Sequence, residues 1–279
     1  MSKHYAVIGH PIGHTMSPYI HQRLFALAGV DADYRAMDIA PADLECAFHQ
    51  TLSGLDGYNI TIPHKQRIIP LLDELDSKAE MYGSVNTVRN QGGKAKGFTT
   101  DPDGFIKAVE AAGIELDGRI MILGCGGVAR TMAYEIALRG KPFEFAVRRE
   151  SVGKAGLICL EITRKIPDAQ VSFGLMDQII GTVDVLINAT PVGMYPDCDA
   201  QPIHNCAVGR CGSVFDAIYN PYETALVKRA KANGAKAEGG MSMLVWQAVV
   251  AHEHWDGSVY DKADIDRLCA DAAAQMAGR

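Results

Sequence analysis

Two short stretches of the chain carry residue types that could do chemistry together. The first is Gly124-Cys125-Gly126-Gly127-Val128-Ala129, which follows the apolar run Ile120-Met121-Ile122-Leu123 and leads into a segment of helical period. In that setting Gly124 makes the turn, Gly126 lets a pyrophosphate approach the backbone, and small Ala129 lets the helix pack on the strand. The unpaired N–H groups at the helix start, from Gly127 and Val128 onward, add donors and positive potential for phosphates. This predicts a dinucleotide site, and with it hydride transfer. The second stretch is Tyr58-Asn59-Ile60-Thr61-Ile62-Pro63-His64-Lys65, a predicted strand followed by a helix opening at Pro63. A helix start favours anions, so Lys65 there suits either proton transfer at a lowered pKa or a carboxylate partner. Asp101, just beyond another predicted strand, is the natural partner. A hydride carrier and a proton carrier together oxidise an alcohol carbon or reduce a carbonyl.

The strand after the glycine loop ends Val147-Arg148-Arg149-Glu150. A site for NAD places an acid at such a strand end, about 20 residues on, to hold the ribose hydroxyls. Arg148 and Arg149 instead suit the 2′-phosphate of NADP through charge-assisted bonds. Glu150, one residue on, is the competing ribose ligand.

The elements that must position these groups alternate short β-branched runs with longer helical stretches, the α/β pattern. Strands are predicted over 5–9, 34–39, 58–62, 85–89 and 95–99, the last two joined by the turn Asn90-Gln91-Gly92-Gly93. A helix is predicted from an N-cap at Ser17, with Pro18 at its first position and Gly29 past its end, and another over 104–112. From residue 119 strict βαβ repetition predicts a Rossmann-type, doubly wound parallel sheet. Two closing helices, about 243–254 and 262–276, are expected to fold back on the first domain.

Composition sets the class. A chain of 279 residues, 48% hydrophobic and 22% charged, suits two modest domains. A formal net charge of −6 argues against nucleic acid, which needs a basic face. No apolar run reaches the span of a bilayer, and the start enters a strand without a signal-peptide pattern. Seven scattered cysteines without a CxxC pair or completed metal site read as reduced thiols in a cytoplasm, and no metal is expected.

At the level of whole motifs the sequence resembles the shikimate dehydrogenases, including the quinate/shikimate branch. The resemblance runs through Val7-Ile8-Gly9-His10-Pro11-Ile12-Gly13-His14-Thr15-Met16-Ser17-Pro18, Asn59 to Lys65, Ser84-Val85-Asn86-Thr87-Val88, Gly97-Phe98-Thr99-Thr100-Asp101, the glycine loop, Asn188 to Met194, Asp216 to Pro221, and Gly240 to Ala248. It implies a substrate domain of residues 1–101 plus 241–279 facing, across a cleft, an NADP domain of residues 102–240. It makes Lys65 and Asp101 the catalytic pair. Thr15 and Ser17 would hold the substrate carboxylate, helped by Tyr219, and Thr61, Asn86 and Gln247 the ring hydroxyls. Thr190, Met194, Ala217 and Gly240 would line the nicotinamide half. Asn86 and Gln247 have the plainer alternative of buried amides bracing the backbone; His10, His14 and His64 read as local hydrogen-bonders. The activity implied is reversible NADP-dependent oxidation of shikimate to 3-dehydroshikimate, in the aromatic amino-acid precursor pathway, by a monomer or homodimer. The alternatives are mixed quinate/shikimate specificity or a related hydroxylated cyclohexene carboxylate.

Three positions depart from the family pattern. Thr15 replaces the first of two serines, Thr99 replaces an asparagine two residues before Asp101, and Val147-Arg148-Arg149 replaces Asn-Arg-Thr at the 2′-phosphate. The first two bear on substrate identity. A regulatory dinucleotide-binding protein would need neither Lys65 nor Asp101, and the Asn59–Lys65 stretch with Asn86 and Gln247 speaks against a folate-type or glutamyl-tRNA-type reductase.

Overall fold

Five consecutive residues of strand β1 (Lys3–Gly9) are buried, the pattern of a strand covered on both faces inside a sheet with parallel neighbours. It lies between β2 (Ala32–Asp38) and β3 (Gly57–Ile60), parallel to both. β5 (Thr87–Gln91) and β6 (Lys94–Phe98) continue the sheet antiparallel as a hairpin, and two-residue β4 (Glu74–Leu75) closes the edge. These come from a computed structural model, which describes residues 2–13 and 15–277; His14 lies outside the described residues.

The second sheet is parallel throughout. Its order is β12 (Lys236–Glu238), β11 (Cys211–Asp216), β10 (Val183–Asn188), β7 (Ile120–Leu123), β8 (Phe143–Val147), β9 (Val171–Leu175). The chain enters at β7, winds outward to β9, then returns to β10 on the other side of β7. At that reversal the loops leaving the carboxyl ends of β7 and β10 part, which opens a crevice for a ligand. All four residues of β7 are buried, and helices α5 (Gly127–Leu138), α6 (Val152–Lys165) and α8 (Ala225–Ala232) bury apolar residues beside the sheet.

The chain divides into two units, one running to Gly104 and resuming over Val245–Met276, the other spanning Phe105–Leu244. Helices α4 (Asp101–Ala111) and α9 (Gly240–Asp256) each begin in one and end in the other. In the first unit Trp255 of α9 packs on Tyr5 and its indole donates to the Val88 carbonyl at 2.9 Å. Gly57 is required there, because a Cβ would sit 2.4 Å from the Trp255 Nε1.

Several expectations are corrected. No helix opens at Pro63; residues 62–68 form successive turns, since Pro63 and Pro70 bracket too few N–H donors to sustain one. Lys65 therefore does not stand at a helix start. Ser17 is the first residue of α1 (Ser17–Ala28) rather than its cap, and the Thr15 hydroxyl accepts from the Ser17 N–H at 3.2 Å. α4 begins at Asp101, not at residue 104. β4, β12, α2 (Leu44–Gln50) and α3 (Ser77–Tyr82) had no sequence signal strong enough to register.

Beside Trp255 lies a buried histidine pair. His21 Nδ1 and His252 Nε2 are 3.0 Å apart, and Tyr260 meets His252 Nδ1 at 2.7 Å. Burial lowers both, His21 well below the usual histidine value and His252 to about 4. The neutral forms are therefore the folded ones, while the unfolded chain takes up protons below about pH 6.5, so this part of the stability is lost as pH falls from 6.5 toward 4. Both tryptophans, 246 and 255, belong to the first unit, so their fluorescence reports its unfolding. The urea midpoint should fall between pH 7 and pH 5, and less steeply in His252→Gln; parallel curves for the two proteins would count against the pair as the source.

Candidate active site

Lys65 stands in the turns that follow β3, and its backbone carbonyl accepts from Val85 N at 2.8 Å. Its Nζ donates to Asp101 Oδ2 at 2.5 Å, with the lysine side chain 28% and the aspartate 20% exposed. Asp101 opens α4, where unpaired N–H groups and the helix dipole favour a carboxylate. Its other oxygen, Oδ1, accepts from Asn86 Nδ2 at 2.9 Å. Asn86 is nearly fully buried, and Thr100 N donates to its Oδ1 at 2.7 Å. The same amide nitrogen also faces Thr100 Oγ1 at 3.0 Å and Gln247 Oε1 at 3.2 Å. The asparagine thus braces Asp101 with protein groups on both sides of its amide. Gln247 spends only its oxygen there; among the described residues its Nε2 has no partner.

Thr61 follows β3 with its methyl against Gly9, where a Cβ would come within 2.5 Å of the Thr61 Cγ2. The Thr15 hydroxyl, besides accepting from Ser17 N, lies 3.1 Å from the Ser17 hydroxyl as its donor. Ser17 is therefore left with its own O–H proton to give. Two further residues support this group and had no assigned role in the sequence reading. Tyr34 donates to Asn59 Oδ1 at 2.7 Å, and Asn59 Nδ2 donates to Thr87 Oγ1 at 3.0 Å. Asn59 stood inside a quoted motif; Tyr34 reads only as a strand aromatic. His10 bonds Asp38 at 2.6 Å and His64 the Ile39 carbonyl at 2.7 Å.

In the second unit the glycine loop leaves β7. Gly124 holds φ at 90°, and a Cβ there would lie 2.9 Å from Thr190 Cγ2. Gly126 and Gly127 differ: a Cβ on either would meet nothing within 4 Å. The protein's own packing gives no reason for glycine at these two positions, whereas a ligand lying on the loop does. Gly126 caps α5 without a side-chain acceptor, which leaves the first N–H groups of the helix unpaired. Ala129 is fully buried under the sheet, and Val128 is exposed.

A cavity of about 1130 Å³ extends from this loop past Arg148, Arg149 and Lys154 to Thr190. Arg148 pairs with Glu150 at 3.1 Å, both largely exposed, so the pair is weak and Glu150 faces the arginine. The donor set fits a dinucleotide bearing a 2′-phosphate. Further along, the Thr190 hydroxyl donates to Asn188 Oδ1 at 2.7 Å. Gly240 is pressed on Ala217, whose carbonyl oxygen lies 2.2 Å from where a Cβ would be. Met194 and Tyr219 are exposed, at 46% and 39%. Among the described residues no cluster of His, Cys, Asp or Glu is arranged to hold a metal.

Residues 7–88 match the model of the shikimate dehydrogenase substrate binding domain. The shikimate dehydrogenase (NADP(+)) of Shouchella clausii is 38% identical over 96% of this chain and 98% of that protein. A crystal structure of shikimate 5-dehydrogenase from Thermus thermophilus, in complex with NADP(H) and shikimate, superposes with a TM-score of 0.84 at 29% identity, covering 97% of this chain and 99% of that one. The 5-ketofructose reductase of Gluconobacter sp. strain CHM43 superposes with a TM-score of 0.86, also at 29% identity and over 97% and 99% of the two chains. This fold therefore carries more than one substrate. With identity spread over nearly the full length of both chains and the substrate-domain model matched across β1 to β5, the chain belongs to the shikimate dehydrogenase family.

Proposed function

We propose that this protein interconverts shikimate and 3-dehydroshikimate with NADP as hydride carrier, as a step toward the aromatic amino acids. The observation that carries the proposal is the 2.5 Å contact between Lys65 and Asp101, braced by Asn86. In the oxidising direction Lys65 and Asp101 bind the reacting hydroxyl and take its proton; in the reducing direction the lysine returns a proton to the carbonyl oxygen. NADP, when bound, accepts or returns the hydride at its nicotinamide ring. Ser17, with its hydroxyl primed by Thr15, donates to the substrate carboxylate. Thr61 and Gln247 serve the ring hydroxyls, Gln247 through its uncommitted Nε2, while Asn86, its amide already held by protein groups, braces Asp101 instead. Such contacts reject analogues lacking a hydroxyl, because the site's own groups are then left unpaired.

In the second unit, the backbone N–H groups at Gly126, Gly127 and Val128 hold the pyrophosphate and Arg148 and Arg149 the 2′-phosphate. Thr190, Met194, Ala217 and Gly240 border the nicotinamide. The substrate domain is residues 1–101 plus 241–279 and the NADP domain residues 102–240. The same proposal places the enzyme in the cytoplasm as a monomer or homodimer. Seven scattered cysteines without a CxxC pair suit a reducing compartment. Among the described residues no helix is long and apolar enough to cross a membrane.

Three measurements test this reading. Lys65→Ala should lower kcat by ~100- to 10,000-fold with a modest change in KM, the loss expected for a general acid–base; near-normal kcat would remove Lys65 from the mechanism. The enzyme should use NADP in preference to NAD, and Arg148→Ala should weaken NADP by about 1.5–3 kcal/mol while sparing NAD. Equal kcat/KM with the two cofactors would overturn this. Among shikimate, quinate and 5-ketofructose, shikimate should be turned over best. Quinate should trail by roughly one to two decades in kcat/KM, since its extra hydroxyl finds the Thr15 oxygen already committed to Ser17. Thr15→Ser should leave shikimate turnover intact. Substantial quinate oxidation that collapses in this variant would show that Thr15 is instead the partner of that hydroxyl.

A further inference from the structure

Asn188 and Asp216 end the neighbouring strands β10 and β11 at the same register position, and both are fully buried. Asn188 Nδ2 donates to Asp216 Oδ1 at 3.0 Å. The same oxygen accepts from Ile218 N at 3.1 Å, and Oδ2 accepts from the Thr224 hydroxyl at 2.7 Å. Thr224 in turn caps α8 by accepting from Val227 N at 3.2 Å. No cation lies within salt-bridge distance of this carboxylate among the described residues; its donors are an amide, a peptide N–H and a hydroxyl. Burial pushes the carboxyl up to about 6. A buried carboxylate met only by neutral donors is costly, so packing alone does not explain it.

Its geometry does. Through Ile218 N the carboxylate closes the turn that presents Ala217. Through Asn188 it reaches the matching turn after β10, where Asn188 Oδ1 accepts from Thr190 N at 3.1 Å and from the Thr190 hydroxyl at 2.7 Å. The two loops are stitched further by Ala217 N to Asn188 O at 2.9 Å and Tyr195 N to Asn220 O at 3.0 Å. Gly240 joins them through its N–H to Ile218 O at 2.9 Å. Thr190, Ala217 and Gly240 therefore all take their positions from one carboxylate, at the carboxyl ends of parallel strands where ligands bind.

We propose that Asp216 is a positioning residue for the nicotinamide end of the cofactor, fixing the loops after β10 and β11 through Asn188, Ile218 and Thr224. This rests on the NADP reading above. Calorimetric titration of NADP+ and of 2′-phospho-ADP-ribose, which keeps the pyrophosphate and 2′-phosphate but lacks nicotinamide, separates positioning from damage. Asp216→Ala should bind NADP+ at least roughly tenfold more weakly, the loss expected when buried hydrogen-bond partners are orphaned, yet bind 2′-phospho-ADP-ribose like the unmodified protein. Asp216→Asn should recover most NADP+ binding, because its amide oxygen still accepts from Asn188 and Ile218 and its NH2 faces the Thr224 hydroxyl. If Asp216→Ala does not fold, Thr224→Val, which removes one donor, should give the same selective loss in weaker form. Equal loss of both ligands, or loss of neither, overturns the positioning role. Failure of the unmodified protein to bind either ligand overturns the NADP reading and this inference with it.

Discussion

Asp101 has to keep one carboxylate oxygen on Lys65 while its other oxygen is held still, and much of the first unit is arranged around that demand. The two partners come from segments distant in sequence, so the sheet must bring their ends together. It does so by pairing β3 with β5 and β5 with β6, and by continuing the ladder past the strands. Ile60 N bonds the Asn86 carbonyl at 2.8 Å, Asn86 N bonds the Phe98 carbonyl at 3.0 Å, and Val85 N bonds the Lys65 carbonyl at 2.8 Å. Backbone hydrogen bonds thus set the spacing of Thr61, Lys65, Asn86 and Thr100 before any side chain acts. The hydroxyls and amides of Thr87, Thr100 and Asn59 then leave Asn86 little rotational freedom, and catalytic groups need that kind of support to hold their geometry.

What the sequence disclosed and what it hid divide along the same line. The glycine loop was legible because its meaning is local: a buried strand, a turn with φ of 90° at Gly124, and a helix start lie within ten residues. The β10 and β11 strands were legible from short β-branched runs, β10 over its full length and β11 only in its second half, since it begins at Cys211. Lys65 and Asp101 could be named as partners, but the reason offered for Lys65, a helix start, was not the real one. Its setting is a run of turns between two prolines, and the helix start belongs to Asp101 instead. The roles of Tyr34, Asn59 and Thr100 were invisible, because each depends on a contact across strands that no periodicity encodes. The short elements escaped too. β4 has two residues and β12 three, held by their neighbours rather than by their own propensity.

Asp101 and Asp216 are kept in opposite ways. Asp101 is partly exposed, paired with a cation and set at a helix start. Those conditions suit the role proposed for it, since the Lys65 cation and solvent both reach its carboxylate. Asp216 is fully buried, has only neutral donors, and sits one residue before the loop it shapes. A cation beside it would neutralise the charge but occupy the space and the oxygen that now close two turns. A hydrophobic residue would remove the burial cost but leave the Ile218 N–H, the Asn188 amide and the Thr224 hydroxyl without an acceptor, which costs more than it saves when all three are buried. The carboxylate is retained because one side chain with two oxygens is the smallest group that can accept from three elements at once. The same chemical group is thus set beside a cation in one unit and among neutral donors that clasp backbone turns in the other, and its surroundings decide which.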